Sequence, residues 1–91
     1  MKEFCYKIED PNGMHARPAG RLATFAKQYE EEILVYYREK EADAKRLLSL
    51  MSLGAVFGGV LCFRVTGAHE EETARALERF CMEAWGDGGT V

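Results

Sequence analysis

The sequence predicts an α+β fold in which helices cover one face of an antiparallel sheet. Three observations lead to this fold class. The 91 residues, 47% hydrophobic and 30% charged, suit one globular domain over 1–91. The predicted elements follow the order β-α-β-β-α-β-α. The strands alternate apolar and polar residues, as strands buried on one side do. We therefore expect an open sandwich of four strands and three helices.

The first strand and the loop after it are indicated by their residue pattern. Residues 3–8, EFCYKI, alternate so that Phe4, Tyr6 and Ile8 share one face, which predicts a strand buried on that side. Residues 10–13, DPNG, contain a proline and a glycine and predict a loop. This loop leads into the first helix.

A helix and two further strands are predicted next. From Pro18 to Tyr29 the apolar residues recur at spacings of three and four, which is the pattern of an amphipathic helix. Residues 32–37, EILVYY, are rich in β-branched and aromatic side chains and predict a strand. Residues 38–44, REKEADA, predict a turn and a short polar strand.

The second half of the chain adds two helices and a strand. Residues 47–54, LLSLMSLG, predict a short helix that the final glycine ends. Residues 57–59, FGG, predict a turn, and residues 60–66, VLCFRVT, predict a strand. The last helix opens with the glutamates of 70–72, whose charges suit the positive end of a helix dipole. Residues 86–91, GDGGTV, are expected to form a flexible tail.

Charge and hydropathy argue against several classes of function. A net charge of −3 is the opposite of what a nucleic-acid surface needs. No apolar run approaches the roughly 20 residues of a membrane span, so no membrane insertion is expected. The first ten residues, MKEFCYKIED, lack the apolar stretch of a signal peptide. We therefore expect a cytoplasmic location.

The three cysteines are predicted to be free thiols. Cys5, Cys62 and Cys81 are odd in number and show no CxxC spacing, which favours a reducing compartment. Cys81 lies at helical spacing from Leu77 and Ala84, and we expect it in the core.

The stretch GMHARPAG at 13–20 holds the candidate chemistry. His15 could be an inert surface residue, a metal ligand or a phosphoryl acceptor. The only other histidine, His69, forms no metal-binding spacing with it, so neither a metal nor another cofactor is expected. An imidazole is partly neutral near pH 7 and therefore nucleophilic. A helix start offers N–H groups to phosphoryl oxygens, Pro18 suits a first turn, and Arg17 adds a fork of donors.

Several segments of the chain together resemble one known family. GMHARPA, LMSLG at 50–54, the turn ending in Gly58 and the segment TGAHEEETARAL are similar to HPr, the histidine-containing phosphocarriers of the bacterial sugar phosphotransferase system. The resemblance runs from the first strand to the final helix. It implies an HPr-like open-faced sandwich with four antiparallel strands and three helices on one face.

The resemblance also implies specific roles. His15 would accept a phosphoryl group that comes from phosphoenolpyruvate through Enzyme I, and would pass it to the IIA domains of sugar permeases. Arg17 and the backbone at Ala16 and Arg17 would stabilise the phosphoryl group. The protein would be a carrier and would not turn over a substrate alone.

The short apolar helix would be the docking surface for these partners. Leu47, Leu48 and Met51 cannot all be buried under so short a helix, and the family places a partner contact there. The other two leucines of this segment, Leu50 and Leu53, are expected in the core.

One position departs from the family pattern. Some members carry a regulatory serine at the start of this helix, and the aligned residue here is Arg46, which cannot accept that phosphate. Ser49 and Ser52 lie nearby but are not aligned with it, and Ser52 is expected to bond its own helix backbone.

Alternation sends four less polar residues to the outer face of the sheet, Cys5, Leu34, Tyr36 and Cys62. They are either scattered surface residues or a site of weak self-association.

Two other functions remain open. One is a divergent HPr paralogue in a regulatory phosphorelay. The other is a small interaction or ligand-binding domain, such as a ferredoxin-like sandwich, in which the histidine is incidental.

Overall fold

The elements follow the predicted order in the computed structural model, which describes residues 1–85. The predicted flexible tail, 86–91, lies outside the described residues. The strands and helices are β1 (Lys2–Lys7), α1 (Ala16–Ala26), β2 (Glu32–Tyr37), β3 (Lys40–Asp43), α2 (Leu47–Met51), β4 (Val60–Thr66) and α3 (Glu70–Trp85).

The four strands form one antiparallel sheet in the order β1-β4-β2-β3. Only β2 and β3 are neighbours both in sequence and in the sheet, and they are joined by a tight turn in which Arg38 has a positive φ of 56°. The central strand β4 pairs Phe63 with Phe4 on one side and with Val35 on the other. The three helices lie on one face, as predicted, and the fold is an α+β open-faced sandwich.

Alternation places the predicted residues in the core between the sheet and the helices. Alternation along the three longer predicted strands, 3–8, 32–37 and 60–66, predicts nine inward-facing residues, and eight of them are at most 4% exposed: Tyr6, Ile8, Ile33, Val35, Tyr37, Leu61, Phe63 and Val65. The ninth, Phe4, is partly buried and stacks on Phe63 with ring centroids 4.9 Å apart. Cys81 is buried in the same core, as predicted, and burial raises the pKa of its thiol.

The first helix is displaced from its predicted bounds. It begins at Ala16, before Pro18, and ends at Ala26. Proline can occupy the first turn because the N–H groups there have no intrahelical acceptor. At the other end, the backbone N–H of Tyr29 donates to Ala26 in a tighter turn (3.1 Å), so the apolar spacing continues after the helix has stopped.

The start of α3 is stabilised by a carboxylate from the loop before β2. Glu31 is only 7% exposed, and it accepts hydrogen bonds from the backbone N–H of His69 (3.0 Å) and the hydroxyl of Thr73 (2.9 Å). These two bonds, the His69 bond first, hold the pKa of Glu31 below its ordinary value. A negative charge at this end also suits the helix dipole.

Two of the three cysteines are joined by a disulfide on the outer face of the sheet. Cys5 and Cys62 are directly paired on β1 and β4 and form a disulfide, so the prediction of free thiols is wrong for both and right for Cys81. No spacing along the chain points to the bond, because the partners are 57 residues apart and meet only through strand pairing. The inference of a reducing compartment loses its support, and the cytoplasmic location stays a prediction.

Tyr36, also on the outer face, is covered by a side chain of the same sheet. The guanidinium of Arg64 lies 4.8 Å from the centre of the Tyr36 ring and donates to its hydroxyl (3.0 Å) and to Glu3 (2.7 Å). The weak self-association predicted for this face stays a prediction.

Candidate functional site

His15 is the residue that precedes α1. Its backbone is extended (φ −90°, ψ −178°), and its carbonyl accepts the first helical hydrogen bond, from Ala19 at 3.1 Å. Helix geometry leaves the N–H groups of Ala16 and Arg17 without an intrahelical acceptor, and Pro18 has none to offer. The imidazole, 37% exposed, therefore lies beside free donors at the positive end of a helix.

The backbone before His15 is fixed against the segment that follows α2. The N–H of Met14 donates to Ala55 (2.9 Å), and Met14 itself is buried. Gly13 has a φ of +66°, and a Cβ there would lie 2.5 Å from the carbonyl oxygen of Ala55. Only glycine allows this approach. The histidine is thus held next to the end of α2 by its own chain.

A carboxylate faces the imidazole from the loop after β1. Asp10 Oδ2 lies 3.4 Å from His15 Nε2, while Asp10 Oδ1 accepts the backbone N–H of Asn12 at 2.8 Å. The Asn12 bond first, and then the His15 ring, hold the pKa of Asp10 below its ordinary value against the opposite effect of burial. The motif analysis missed Asp10, because it treated residues 10–13 only as a loop.

Exposed cations continue from the histidine along α1. Arg17 and Arg21 are four residues apart, and they line one groove with the stacked rings of Phe25 and Phe80, whose centroids are 4.6 Å apart. Both guanidinium groups are on exposed residues. They create a local positive surface on a chain whose net charge is −3.

The three residues predicted to dock partners are exposed. Leu47, Leu48 and Met51 are 39%, 80% and 40% exposed, and we call them the apolar patch. The prediction for the other two leucines of the segment is confirmed, because Leu50 is 0% and Leu53 1% exposed.

Two further exposed apolar residues were missed by the sequence reasoning. Val56 and Phe57, 52% and 56% exposed, follow α2 and extend the apolar surface toward Gly13, which lies against the Val56 backbone. The signal was present in the sequence as an apolar pair beside a glycine turn, but the segment was interpreted only as that turn.

The two serines that follow Arg46 in the short helical segment both make hydrogen bonds within the chain. Arg46 precedes α2, is exposed and makes no side-chain cap. The Ser49 hydroxyl accepts the backbone N–H of Asp43 (3.0 Å), and Ser52 donates to the carbonyl of Ser49 (2.6 Å), as predicted for Ser52.

Residues 1–85 hold neither a cluster of metal ligands nor a helix that could cross a membrane. No group of three or more histidine, cysteine, aspartate or glutamate side chains converges there as metal ligands would. Among the helices so described, none has the length and apolar character needed to cross a membrane.

Comparison with known proteins agrees with this geometry. The model of the family described as "PTS HPr component phosphorylation site" matches residues 2–83. The chain is 39% identical to a phosphocarrier protein HPr from Mycoplasma genitalium, covering 91% of this chain and 94% of that protein. It is 35% identical to a multiphosphoryl transfer protein of Escherichia coli K12, covering 89% of this chain but 10% of that protein. A solved Mycoplasma histidine-containing phosphocarrier superposes with a TM-score of 0.90 at 25% identity, covering 96% of this chain and all of the other.

Proposed function

Because the chain belongs to the HPr family of phosphocarrier proteins, we propose that it accepts a phosphoryl group on His15 from phosphorylated Enzyme I and passes it to IIA domains of sugar permeases. Phosphoenolpyruvate is the ultimate donor. The observation that carries the proposal is a half-exposed imidazole at the start of α1, followed by Arg17, inside the region that the family model matches.

The arrangement around His15 suits a phosphoryl group that must also leave. The N–H groups of Ala16 and Arg17 and the positive end of α1 favour the phosphoryl oxygens, and the Arg17 guanidinium matches them as a fork. The ring is open to solvent on one side, so a second protein can reach the phosphorus. The chain supplies binding and a nucleophile, and the partners supply donor and acceptor, which is the role of a carrier rather than of an enzyme.

Docking is assigned to the apolar patch. Leu48 lies on α2, which packs against α1, and four-fifths of its surface is exposed to solvent. Apolar contact there would give short-lived binding, while Arg17 and Arg46 steer acidic partner surfaces. A transient interface of this kind needs only a few desolvated apolar side chains with a charged rim.

A second candidate uses the same histidine in a different relay. A divergent paralogue would take its phosphoryl group from other partners, and the geometry of His15 is the same in both cases. The Escherichia coli relative is a multiphosphoryl transfer protein about ten times the length of the matched segment. The partners accepted in a transfer assay separate the two. A histidine that is merely incidental does not fit membership of a phosphocarrier family.

The direct test is phosphoryl acceptance. The protein is incubated with phosphoenolpyruvate and Enzyme I, and an acid-labile adduct is measured by intact mass. We expect one phosphate on the wild type, none on His15→Ala, and acceptance slowed about tenfold in Arg17→Ala through loss of a charged donor. His69→Ala is the matched control, since it removes the other histidine from an exposed site.

Labelling of His15→Ala at the wild-type level would refute the assignment. Loss of labelling in His69→Ala with an unchanged melting temperature would move the site to α3. Labelling by the enzyme of a different relay, and not by Enzyme I, would select the paralogue.

A further inference from the structure

Asp10 is placed so that its two carboxylate oxygens have different partners. Oδ1 accepts the Asn12 N–H at 2.8 Å, and the Asp10 carbonyl accepts the Gly13 N–H at 2.9 Å, so the carboxylate is fixed to its own turn. Oδ2 is left to face Nε2 of His15 at 3.4 Å. The ends of this turn are anchored too, because Ile8 and Met14 both bond to the segment between α2 and β4.

We propose that Asp10 is a positioning residue, which holds the neutral ring of His15 in the tautomer with hydrogen on Nε2 and leaves the lone pair on Nδ1. This inference rests on the proposed function of His15. A neutral imidazole has one N–H and one lone pair, and an ionised carboxylate can only accept. The nitrogen facing Asp10 must therefore be the donor. In proteins, the hydrogen bond made by one ring nitrogen of a histidine commonly decides which of the two nitrogens carries the hydrogen.

The charges change in a balanced way during transfer. The Nδ1 lone pair forms a bond to phosphorus as the donor's bond to phosphorus breaks, and the electron pair of that bond stays with the donor. Nε2 keeps its hydrogen, so the ring gains one positive charge, which Asp10 opposes across 3.4 Å. The reverse step returns the lone pair to Nδ1 and restores the neutral ring. No proton has to leave for either direction.

The surrounding charges do not replace Asp10. Arg17 comes two residues after the histidine and carries a guanidinium, which cannot accept a hydrogen bond.

The neighbouring carboxylate Glu9 provides a matched control, because Glu9→Gln alters the net charge by the same amount as Asp10→Asn. Asp10→Asn keeps one oxygen, which can still accept the Asn12 N–H, and turns an amide NH2, a donor, toward the ring, whereas Asp10→Ala removes both groups.

The experiment measures the ring itself. Nitrogen-15 chemical shifts of His15 are recorded at pH 8.5 for the wild type, Asp10→Ala, Asp10→Asn and Glu9→Gln, with no partner present. We expect hydrogen on Nε2 in the wild type and in Glu9→Gln, an increased share on Nδ1 in Asp10→Ala, and at least as large a share on Nδ1 in Asp10→Asn, because its amide NH2 can only donate to Nε2. Initial rates of phosphoryl acceptance should fall about two- to fivefold in Asp10→Ala, the range for a partly exposed ionic contact.

An unchanged tautomer ratio in Asp10→Ala would overturn the proposal. So would a rate loss in Glu9→Gln equal to that of the Asp10 variants, since it would show an effect of net charge alone. Failure of the wild type to accept phosphate would instead refute the proposed function, and the nitrogen shifts would still report on Asp10. Asp10→Asn, which keeps the bond of the turn, covers the case in which Asp10→Ala disturbs the loop.

Discussion

Replacing Leu48 by aspartate should separate docking from folding. Full burial of a leucine stabilises a protein by about 1.5–3 kcal/mol. Leu48 is 80% exposed, so the fifth that is buried contributes only about 0.3–0.6 kcal/mol to folding. An aspartate in the first turn of α2 also interacts favourably with the helix dipole. We therefore expect the free energy of unfolding to change by less than about 1 kcal/mol.

Binding should respond much more strongly. The exposed four-fifths of Leu48 becomes buried when a partner covers the patch, and losing it should cost about 1–2 kcal/mol. That corresponds to a Kd for Enzyme I raised about 5- to 30-fold. The assay pairs chemical denaturation with titration of Enzyme I for each variant.

Two variants serve as controls for this prediction. Leu50→Ala alters a leucine that is 0% exposed, and should lower stability by about 2–5 kcal/mol while binding per folded molecule is retained. Met82→Asp introduces the same charge on α3, and because Met82 is 37% exposed it should lower stability by about 1–2 kcal/mol while leaving binding of Enzyme I unchanged. The reasoning fails if Leu48→Asp behaves like Leu50→Ala, or if Met82→Asp weakens binding equally.

Three other perturbations have expected outcomes. Reducing the bond between Cys5 and Cys62, which spans 57 residues, should lower stability by about 3–4 kcal/mol and expose two alkylatable thiols; an unchanged denaturation midpoint would contradict this. The wild type should be more stable than Glu31→Gln, and this difference should be complete at neutral pH. It should decline as the pH falls below the ordinary pKa of 4.5 and vanish below the lowered pKa of Glu31 in the folded state. A difference in melting temperature that does not depend on pH would contradict this. A kinase specific for the family's regulatory serine should add no phosphate to this chain, because Arg46 occupies that position, and intact-mass analysis checks it.

The fold could be predicted because its determinants are local. Alternation in EILVYY and VLCFRVT places the same side chains in the core that the structure buries, and the glutamates at 70–72 do mark the start of α3. The predicted end of the first helix at Tyr29 was wrong, because the apolar spacing continues beyond Ala26, where the helix ends. Errors also arose where the decisive contact joins distant segments. The pairing of Cys5 with Cys62 depends on the register of β1 against β4, which no spacing along the chain reveals.

The site could be predicted only in part for the same reason. His15 and Arg17 stand in one motif, and the exposure of Leu48 follows from the length of α2. The contact of Asp10 with the ring depends on how the loop turns back, which is decided by the bonds to Asn12 and Gly13. The exposure of Phe57 depends on how the chain leaves α2 on its way to β4.

The link between Cys5 and Cys62 divides the chain into a closed ring and an open end. The ring, residues 5–62, contains the whole of α1, β2, β3 and α2, and therefore His15 and the apolar patch. A single proteolytic cut between residues 6 and 61 leaves every part of the proposed phosphoryl site attached to the same molecule. A cut near Gly67, by contrast, frees α3 from the chain, and it is then held only by non-covalent contacts, which include core packing, the carboxylate of Glu31 and the ion pair of Glu70 with the amino terminus. Under oxidising conditions, limited proteolysis should accordingly remove the last helix first and spare the part of the molecule that holds His15.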